Sequence, residues 1–363
     1  IPIELKHRGE ALQQHSRRCM LGTKNMKKNS EYEKMPKTFS KLELSEKELS
    51  DVNKVKWVVT EKVHGANFSL VYEDRKLLFA KRKDYLSWDA DFFGFQQVVN
   101  EIEDRVLQLF EALSLELKAD KHIIYGELFG GKYPHPHVPV DPDVEAIQTG
   151  IYYAPTVHFC AFDLAVEIDG KKAYVDYDKA MAYFDQYGIF YAKPLLIGKV
   201  NEVQNFNIRI NSSIPAQLGL PELEQNLIEG VVVKPLNHAH LNLSSRPVVK
   251  LKNPEFDEEK KFHESEAWSF KKKVVSKSEE LSFILEEIST YINDNRVQSA
   301  VSKTGKIDQD NEARMQEIEE EILNDTWTDF NENNNSLLSE LQEEQQEWLR
   351  KRMQAQIREL LAN

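Results

Sequence analysis

Apolar residues change their spacing once along this chain, and that change constrains what it can fold into. As far as Lys252 they come in short, strand-length runs: Trp57-Val58-Val59, Phe68-Ser69-Leu70-Val71-Tyr72, Leu77-Leu78-Phe79-Ala80 and Val231-Val232-Val233. From Leu281 they recur at helical spacing: Leu281, Ile284, Leu285, Ile288 and Ile292, then Met315, Ile318 and Ile322, then Leu337, Leu338, Leu341, Trp348, Met353, Ile357 and Leu361. Strand runs that do not alternate regularly with helices predict an α+β domain built on antiparallel sheets. The helical spacing, with Glu and Gln filling the gaps, predicts a small all-helical domain after it. The expected divisions are an N-terminal arm over 1–36, the α+β domain over 37–262 and the helical domain over 263–363.

Within the first domain, strands are expected on both sides of the turn at Val63-His64-Gly65, with a third ending at Lys81-Arg82. Further strands are expected over 122–129, 157–166, 230–234 and 247–252, and helices over 92–113 and 178–187. Pro134, Pro136, Pro139, Pro142 and Pro155 exclude regular structure between the middle strands. A length of 363 residues allows two cores, and 41% hydrophobic with 29% charged residues suits a soluble globular chain. No apolar run is long enough to span a membrane. Cys19 and Cys160 make neither a disulfide framework nor a zinc site, so a reducing compartment is the default. The arm carries Arg8, Arg17, Arg18, Lys24, Lys27 and Lys28. It reads as an ordinary basic arm, with the remnant of an organelle-targeting segment as the alternative. The net charge of −13 falls almost wholly after residue 253, so the first domain can still present a local basic surface to phosphates.

The chemistry gathers around Glu61-Lys62-Val63-His64-Gly65-Ala66-Asn67. A lysine at a strand end, followed by a tight glycine turn, is held at the mouth of a sheet where it can act as a nucleophile. Alone it reads equally well as an exposed strand-end lysine. Further segments place charge where a strand should be apolar: Lys81-Arg82, Gly126-Glu127, Phe162-Asp163, Glu229-Gly230 through Lys234, and Lys250-Leu251-Lys252. Each alone reads as a solvated strand edge. Together they suggest a site. Lys250 and Lys252 share one strand face and repel unless an anion lies between them. A triphosphate is such an anion. Glu127 and Glu229 can then take a ribose hydroxyl and a hydrated divalent cation. His238 and His240, and His135 and His137, read as loop histidines rather than metal ligands.

These segments resemble the motifs of covalent nucleotidyltransferases, the superfamily of ATP-dependent DNA ligases, RNA ligases and capping guanylyltransferases. His64, where DNA ligases and capping enzymes usually have Asp, points to the RNA ligase 2 family. Asp91-Phe92-Phe93-Gly94, Gly126 through Tyr133, the His135-to-Pro139 loop and Leu227 through Val233 resemble kinetoplastid mitochondrial RNA-editing ligases. The resemblance covers roughly residues 38–305. It implies an antiparallel, ATP-grasp-like ligase domain and an ATP-dependent RNA ligase joining 3′-hydroxyl and 5′-phosphate ends, at nicks in duplex RNA, with Mg²⁺ or Mn²⁺. Lys62 is implied to form lysyl-AMP. A lysine must be neutral to attack, and cations at Lys250, Lys252 and a bound metal would favour that form. Glu61 is implied to contact the adenine amino group, with Glu43 and Leu44 as a looser pair nearby. Phe162 and Val232 would sandwich the base, Glu127 would bind the ribose, and Asn67 and Arg82 would grip the sugar and the 5′-phosphate side. Glu229 would hold the metal, Lys234, Lys250 and Lys252 would neutralise phosphates, and His64 would orient the pyrophosphate. In the helical domain Arg296 is implied as an RNA contact, with Glu317 and Glu321 weaker candidates. The acidity of that domain favours a protein partner over broad RNA binding. The alternatives are a DNA ligase or capping-type enzyme, and a non-catalytic ligase-like scaffold that binds RNA. A mitochondrial location follows from the resemblance, against a cytoplasmic or nuclear one.

Overall fold

The computed structural model describes residues 29–258 and 276–362. The strands are β1 (Trp57–Glu61), β2 (Ala66–Glu73), β3 (Lys76–Lys81), β4 (Tyr85–Leu86), β5 (Lys121–Lys132), β6 (Ala154–Ile168), β7 (Lys171–Tyr174), β8 (Pro194–Gly198), β9 (Gly230–Pro235) and β10 (Val249–Lys252). They form two antiparallel sheets, ordered β10-β9-β1-β8 and β4-β3-β2-β5-β6-β7. The chain therefore changes sheet between β1 and β2, and residues 62–65 form the seam.

Why the seam is tight follows from Gly65. A Cβ there would lie 2.0 Å from the Leu128 carbonyl oxygen and 2.9 Å from Glu127 Cγ. Only glycine lets the turn lie this close to β5. On the other side the Lys62 amide donates to the Gly230 carbonyl at 2.9 Å, which ties the seam to β9.

Period-two alternation sorts β1 into two layers. Trp57 and Val59 pack outward with Val52, Val203, Ile228, Val231 and Val233, while Val58 joins the larger core. Helix α1 (Glu46–Val52) covers the outer layer, where the Trp57 indole donates to the Val52 carbonyl at 2.9 Å. Helix α2 (Phe95–Glu116) lays Phe95, Val99, Val106, Phe110 and Leu113 against Phe68, Leu70, Ile124 and Leu164 of the six-stranded sheet. Each such side chain, fully buried, contributes about 1.5–3 kcal/mol. Helix α3 (Tyr177–Gln186) adds Tyr177, Ala180 and Phe184 to the same core.

Strands β4, β7 and β8 were not legible as elements. β4 has only two residues, Tyr85 and Leu86, and β7, Lys171–Tyr174, is short and mostly polar. β8 begins at a proline, which suits it to the sheet edge it occupies.

The helical part comprises α4 (Lys277–Ser289), α5 (Asp294–Thr304), α6 (Glu312–Asn333) and α7 (Glu343–Leu361). Its buried side chains, among them Leu281, Ile318, Ile322, Phe330, Leu349 and Ile357, are continuous with the core under α2. Glu103, buried on α2, accepts from the Lys277 amide at 2.9 Å and from Ser278 Oγ at 2.6 Å, so a residue of α2 caps the start of α4. Arg75 of the β2–β3 turn and Lys76 at the start of β3, far from the seam, pair with Glu359 and Glu286. The helices thus sit on α2 and on the β2–β3 turn.

Of the expected divisions, the one at residue 262 lies outside the described residues. The one at residue 36 falls inside packed structure, because Asn29 and Tyr32 are buried.

One buried ion pair makes this docking testable. Arg352 of α7, 3% exposed, lies 3.3 Å from Glu111 of α2. Burial pushes the Glu111 carboxyl up to about 7, against the downward pull of Arg352 and Arg358. Arg352→Ala strands the carboxylate and is expected to cost about 3 kcal/mol above pH 7. Because the folded value lies above the ordinary one, the penalty grows as pH rises through that window and shrinks as Glu111 takes up its proton. Denaturant unfolding at several pH values checks this; a loss below about 1 kcal/mol at every pH contradicts it.

Candidate active site

Glu229 is the last residue before β9, and its carboxylate is buried at the seam. Lys62 Nζ lies 2.6 Å from Oε2, Lys252 Nζ 2.6 Å from Oε1, and His64 Nδ1 3.3 Å from Oε2. Burial pushes this carboxyl up. The hydrogen bond from His64 and the charges of Lys62 and Lys252 overturn that and hold it well below the usual carboxylate range. Sheet register explains the meeting. β10 pairs with β9 so that Lys252 faces Gly230 and Lys250 faces Val232. A Cβ on Gly230 would lie 2.0 Å from the Leu251 carbonyl oxygen, so glycine is what allows β10 this close. Lys250 joins the cluster electrostatically: burial, then Lys62 and Lys252, push its ammonium down, with Glu229 opposing.

From the other sheet, β5 brings Glu127 opposite Asn67 of β2. Glu127 is half-buried, and burial pushes its carboxyl up to about 7; Lys62 pulls it down, Glu229 raises it, and Arg82 and Asn67 pull it down. Lys62, Asn67, Arg82, Glu127 and Glu229 therefore share one electrostatic neighbourhood. Gly126 is sterically required, since a Cβ would meet the Phe159 ring at 2.2 Å.

Glu61, next to the nucleophile candidate, is buried with neither carboxylate oxygen in a well-formed hydrogen bond. Burial pushes it up to about 7, and Ser212 and the Ser213 amide pull it back only in part. A buried acceptor without a donor is costly, and the amino group of a purine is a donor of the right kind. Phe162 of β6 and Val232 of β9 are half-buried, one on each sheet.

Six expected residues are placed elsewhere. Lys234 does not join the phosphate lysines. It is 1% exposed, with Nζ 2.9 Å from Asp163 Oδ1, 2.5 Å from the Phe162 carbonyl and 3.6 Å from the centre of the Tyr177 ring. Its charge is spent on Asp163, which also takes Arg246 at 2.7 and 2.9 Å. Burial pushes the Lys234 ammonium down to about 8 despite Asp163. Leu44 packs in the outer layer of the four-stranded sheet, and Glu43 beside it is exposed. Arg296 pairs with Asp329 of α6 at 2.6 Å, so its guanidinium is engaged within the helical part. Glu317 and Glu321 likewise pair with Arg314 and Lys303.

His238 lies in a loop with Nδ1 3.2 Å from Asp176, and burial pushes its imidazole down to about 4. Among the described residues no group of three His, Cys, Asp or Glu is arranged to hold a metal ion, and no helix is long and apolar enough to cross a membrane. Sequence reasoning missed Tyr153, whose hydroxyl accepts the His64 amide at 3.0 Å, and Tyr32, whose hydroxyl donates to Asp163 at 2.6 Å. Neither carries a local signal, because both act from segments without strand or helix periodicity.

Comparison with known proteins gives the following. A family model described as RNA ligase matches residues 55–252, and one described as T4 RNA ligase 2 C-terminal matches residues 275–359. The chain is 32% identical over 210 residues to RNA-editing ligase 2, mitochondrial, of Trypanosoma brucei brucei, covering 52% of this chain and 50% of that protein. To RNA-editing ligase 1, mitochondrial, of Trypanosoma brucei brucei it is 29% identical over 207 residues, covering 49% and 44%. It thus spans about half the length of these relatives. Among solved structures, a Naegleria gruberi RNA ligase mutant with AMP and Mn matches with a TM-score of 0.41 and 14% identity, over 62% of this chain and 56% of that one.

The buried Glu61 carboxylate makes a prediction. Its value of about 7 lies above the ordinary 4.5, so stability is lost as pH rises from the ordinary value through 7. Glu61→Gln is expected to stabilise the ligand-free protein above pH 7 by up to roughly 3 kcal/mol and to flatten that part of the pH profile. Unfolding curves across the window check it; an unchanged slope contradicts it.

Proposed function

The chain belongs to the RNA ligase family, and from that premise we propose that it is an ATP-dependent RNA ligase. It joins a 3′-hydroxyl end to a 5′-phosphate end, at nicks in duplex RNA, through lysyl-AMP and RNA-adenylate. The observation that carries this is the seam: one lysine on a fixed turn, held against Glu229 with a second lysine from β10.

In the first step Lys62 Nζ, having lost its proton, forms a bond to the α-phosphorus of ATP, and the bond to the pyrophosphate oxygen breaks. An incoming triphosphate takes Lys252 from Glu229, and Lys62, beside the cations Lys250 and Lys252, passes its proton to solvent before the attack. Lys250 and Lys252 neutralise the phosphates, and His64 orients the leaving pyrophosphate. Glu127 and Asn67 take the ribose, Arg82 the 5′-phosphate side, and Phe162 and Val232 the faces of the base. Glu61 accepts from the adenine amino group, which gives its orphaned carboxylate a partner. Glu229 and Glu127 would hold a divalent cation largely through water, and it would supply charge neutralisation at the phosphates. Asp163 already satisfies Lys234, so Lys234 shapes the base end rather than binding phosphate.

Arg296 is engaged with Asp329, which favours the acidic helices as a docking face for a protein partner over broad RNA binding. The names of the matching relatives favour a mitochondrial site of action.

Incubation with α-labelled ATP and Mg²⁺, followed by nicked duplex RNA, nicked DNA and single-stranded RNA in parallel, tests the reading. Wild-type protein is expected to take up label and to seal the RNA nick preferentially. Lys62→Ala is expected to reduce both to background. Preferential sealing of nicked DNA favours the DNA ligase alternative, and sealing of single strands alone overturns the nick assignment.

A further inference from the structure

Residues 29–36 precede the segment matched by the RNA ligase model and form neither helix nor strand. They nevertheless touch three separate parts of the candidate site. At one end Asn29 is buried against the β3–β4 turn. Its Nδ2 donates to the carbonyls of Lys81 at 3.1 Å and Arg82 at 3.4 Å, and its backbone amide donates to the carbonyl of Lys83 at 3.2 Å. In the middle the Tyr32 hydroxyl donates to Asp163, and its ring stands edge-on to Phe162 with centroids 5.1 Å apart. At the far end the Pro36 carbonyl accepts the Lys250 amide at 3.0 Å. Between these points Ser30 and Glu31 offer carbonyls to Tyr125 Oη and Lys172 Nζ, and the Glu33 carboxylate takes Lys172 and the Tyr174 hydroxyl.

The Asn29 contacts are the informative ones. The turn at Arg82-Lys83-Asp84 contains no glycine or proline to fix its shape. It leads into a strand of two residues. Three consecutive carbonyls of this turn face Asn29, and its short amide, with two N–H donors added to its own backbone N–H, serves them all. Arg82 itself is exposed, yet its charge reaches Glu127 in the cleft. An exposed arginine on a two-residue-strand turn has no fixed position unless the turn is held.

We propose that residues 29–36 are a positioning strap for the bound nucleotide, and that Asn29 is a positioning residue that holds the Lys81–Lys83 turn so that Arg82 faces the cleft. This rests on reading the cleft as the ATP site. Asn29 touches no ligand; it acts through Arg82. Tyr32 and Pro36 hold the same strap against Phe162 and Lys250, so one segment keeps the base, sugar and phosphate elements in register.

The test uses the full chain and follows lysyl-adenylate formation against ATP concentration. Asn29→Ala is expected to raise the ATP concentration for half-maximal rate about 5–10-fold, the size of a hydrogen bond or two. The rate at saturating ATP stays within about twofold of wild type. Asn29→Asp, which sets a carboxylate against those carbonyls, should move it at least as far. Asn29→Ala combined with Arg82→Ala should be no worse than Arg82→Ala alone, because both changes remove one interaction. An unmoved half-maximal concentration, or effects that multiply in the double variant, overturns the proposal. So does unfolding of both Asn29 variants at assay temperature, which would assign Asn29 to global stability. Absence of wild-type adenylate is a different result: it overturns the ATP reading of the cleft, and this inference with it.

Discussion

A buried carboxylate holding two ammonium groups and an imidazole at the junction of two sheets organises this molecule. Lys62 and Lys252 would repel each other at this distance without Glu229, and Glu229 would not stay ionised in this interior without them. At an effective dielectric near 20, each close pair attracts by about 4 kcal/mol, comparable with the several kcal/mol that burying each ion costs. The cluster therefore stands as a whole or not at all. It is also what makes the junction a site. The charges are already desolvated and aimed at one point, so an anion entering there meets cations that need only exchange partners.

A second buried network, around Asp163, plays a different part. Asp163 takes Lys234, Arg246 and the Tyr32 hydroxyl, so its charge is spent inside the fold, where it ties β6 to β9. The two networks pull stability in one direction with pH, and three carboxyls whose burial outweighs their partners pull in the other. Glu229 and Asp163 are held below the ordinary range, so their contribution is present above it and lost as pH falls. Glu61, Glu127 and Glu111 are pushed up by burial, so their cost appears as pH rises toward 7. The cleft carries two of those three costs, which is where a ligand can relieve them.

Much of this is legible in the sequence. The strand runs at Trp57, Phe68, Leu77 and Val231 and the helical spacing after Leu281 are local signals, and they placed the sheets and the helices. Charged residues inside apolar strands, such as Glu127 and Lys250, stood out because burial should exclude them. What could not be read was where such charges would be spent. Lys234 looks like Lys250 in sequence, one residue of a strand face, but only the tertiary fold sets Asp163 against it. Arg296 meets Asp329 for the same reason. Residues 29–36 carry no periodicity, so their hold on the turn at Arg82 and on Lys250 was invisible, and they were grouped with a basic arm. Short edge strands β4, β7 and β8 escaped because pairing, not composition, makes them strands.

Of the three lysines gathered at the seam, Lys62 is the proposed nucleophile, and Lys250 and Lys252 are the proposed phosphate ligands. Peptide mapping by mass spectrometry, after incubation of the wild-type chain with ATP and Mg²⁺, measures this directly. AMP is predicted on Lys62 alone. AMP on Lys250 or Lys252, or on no lysine of the seam, would contradict it.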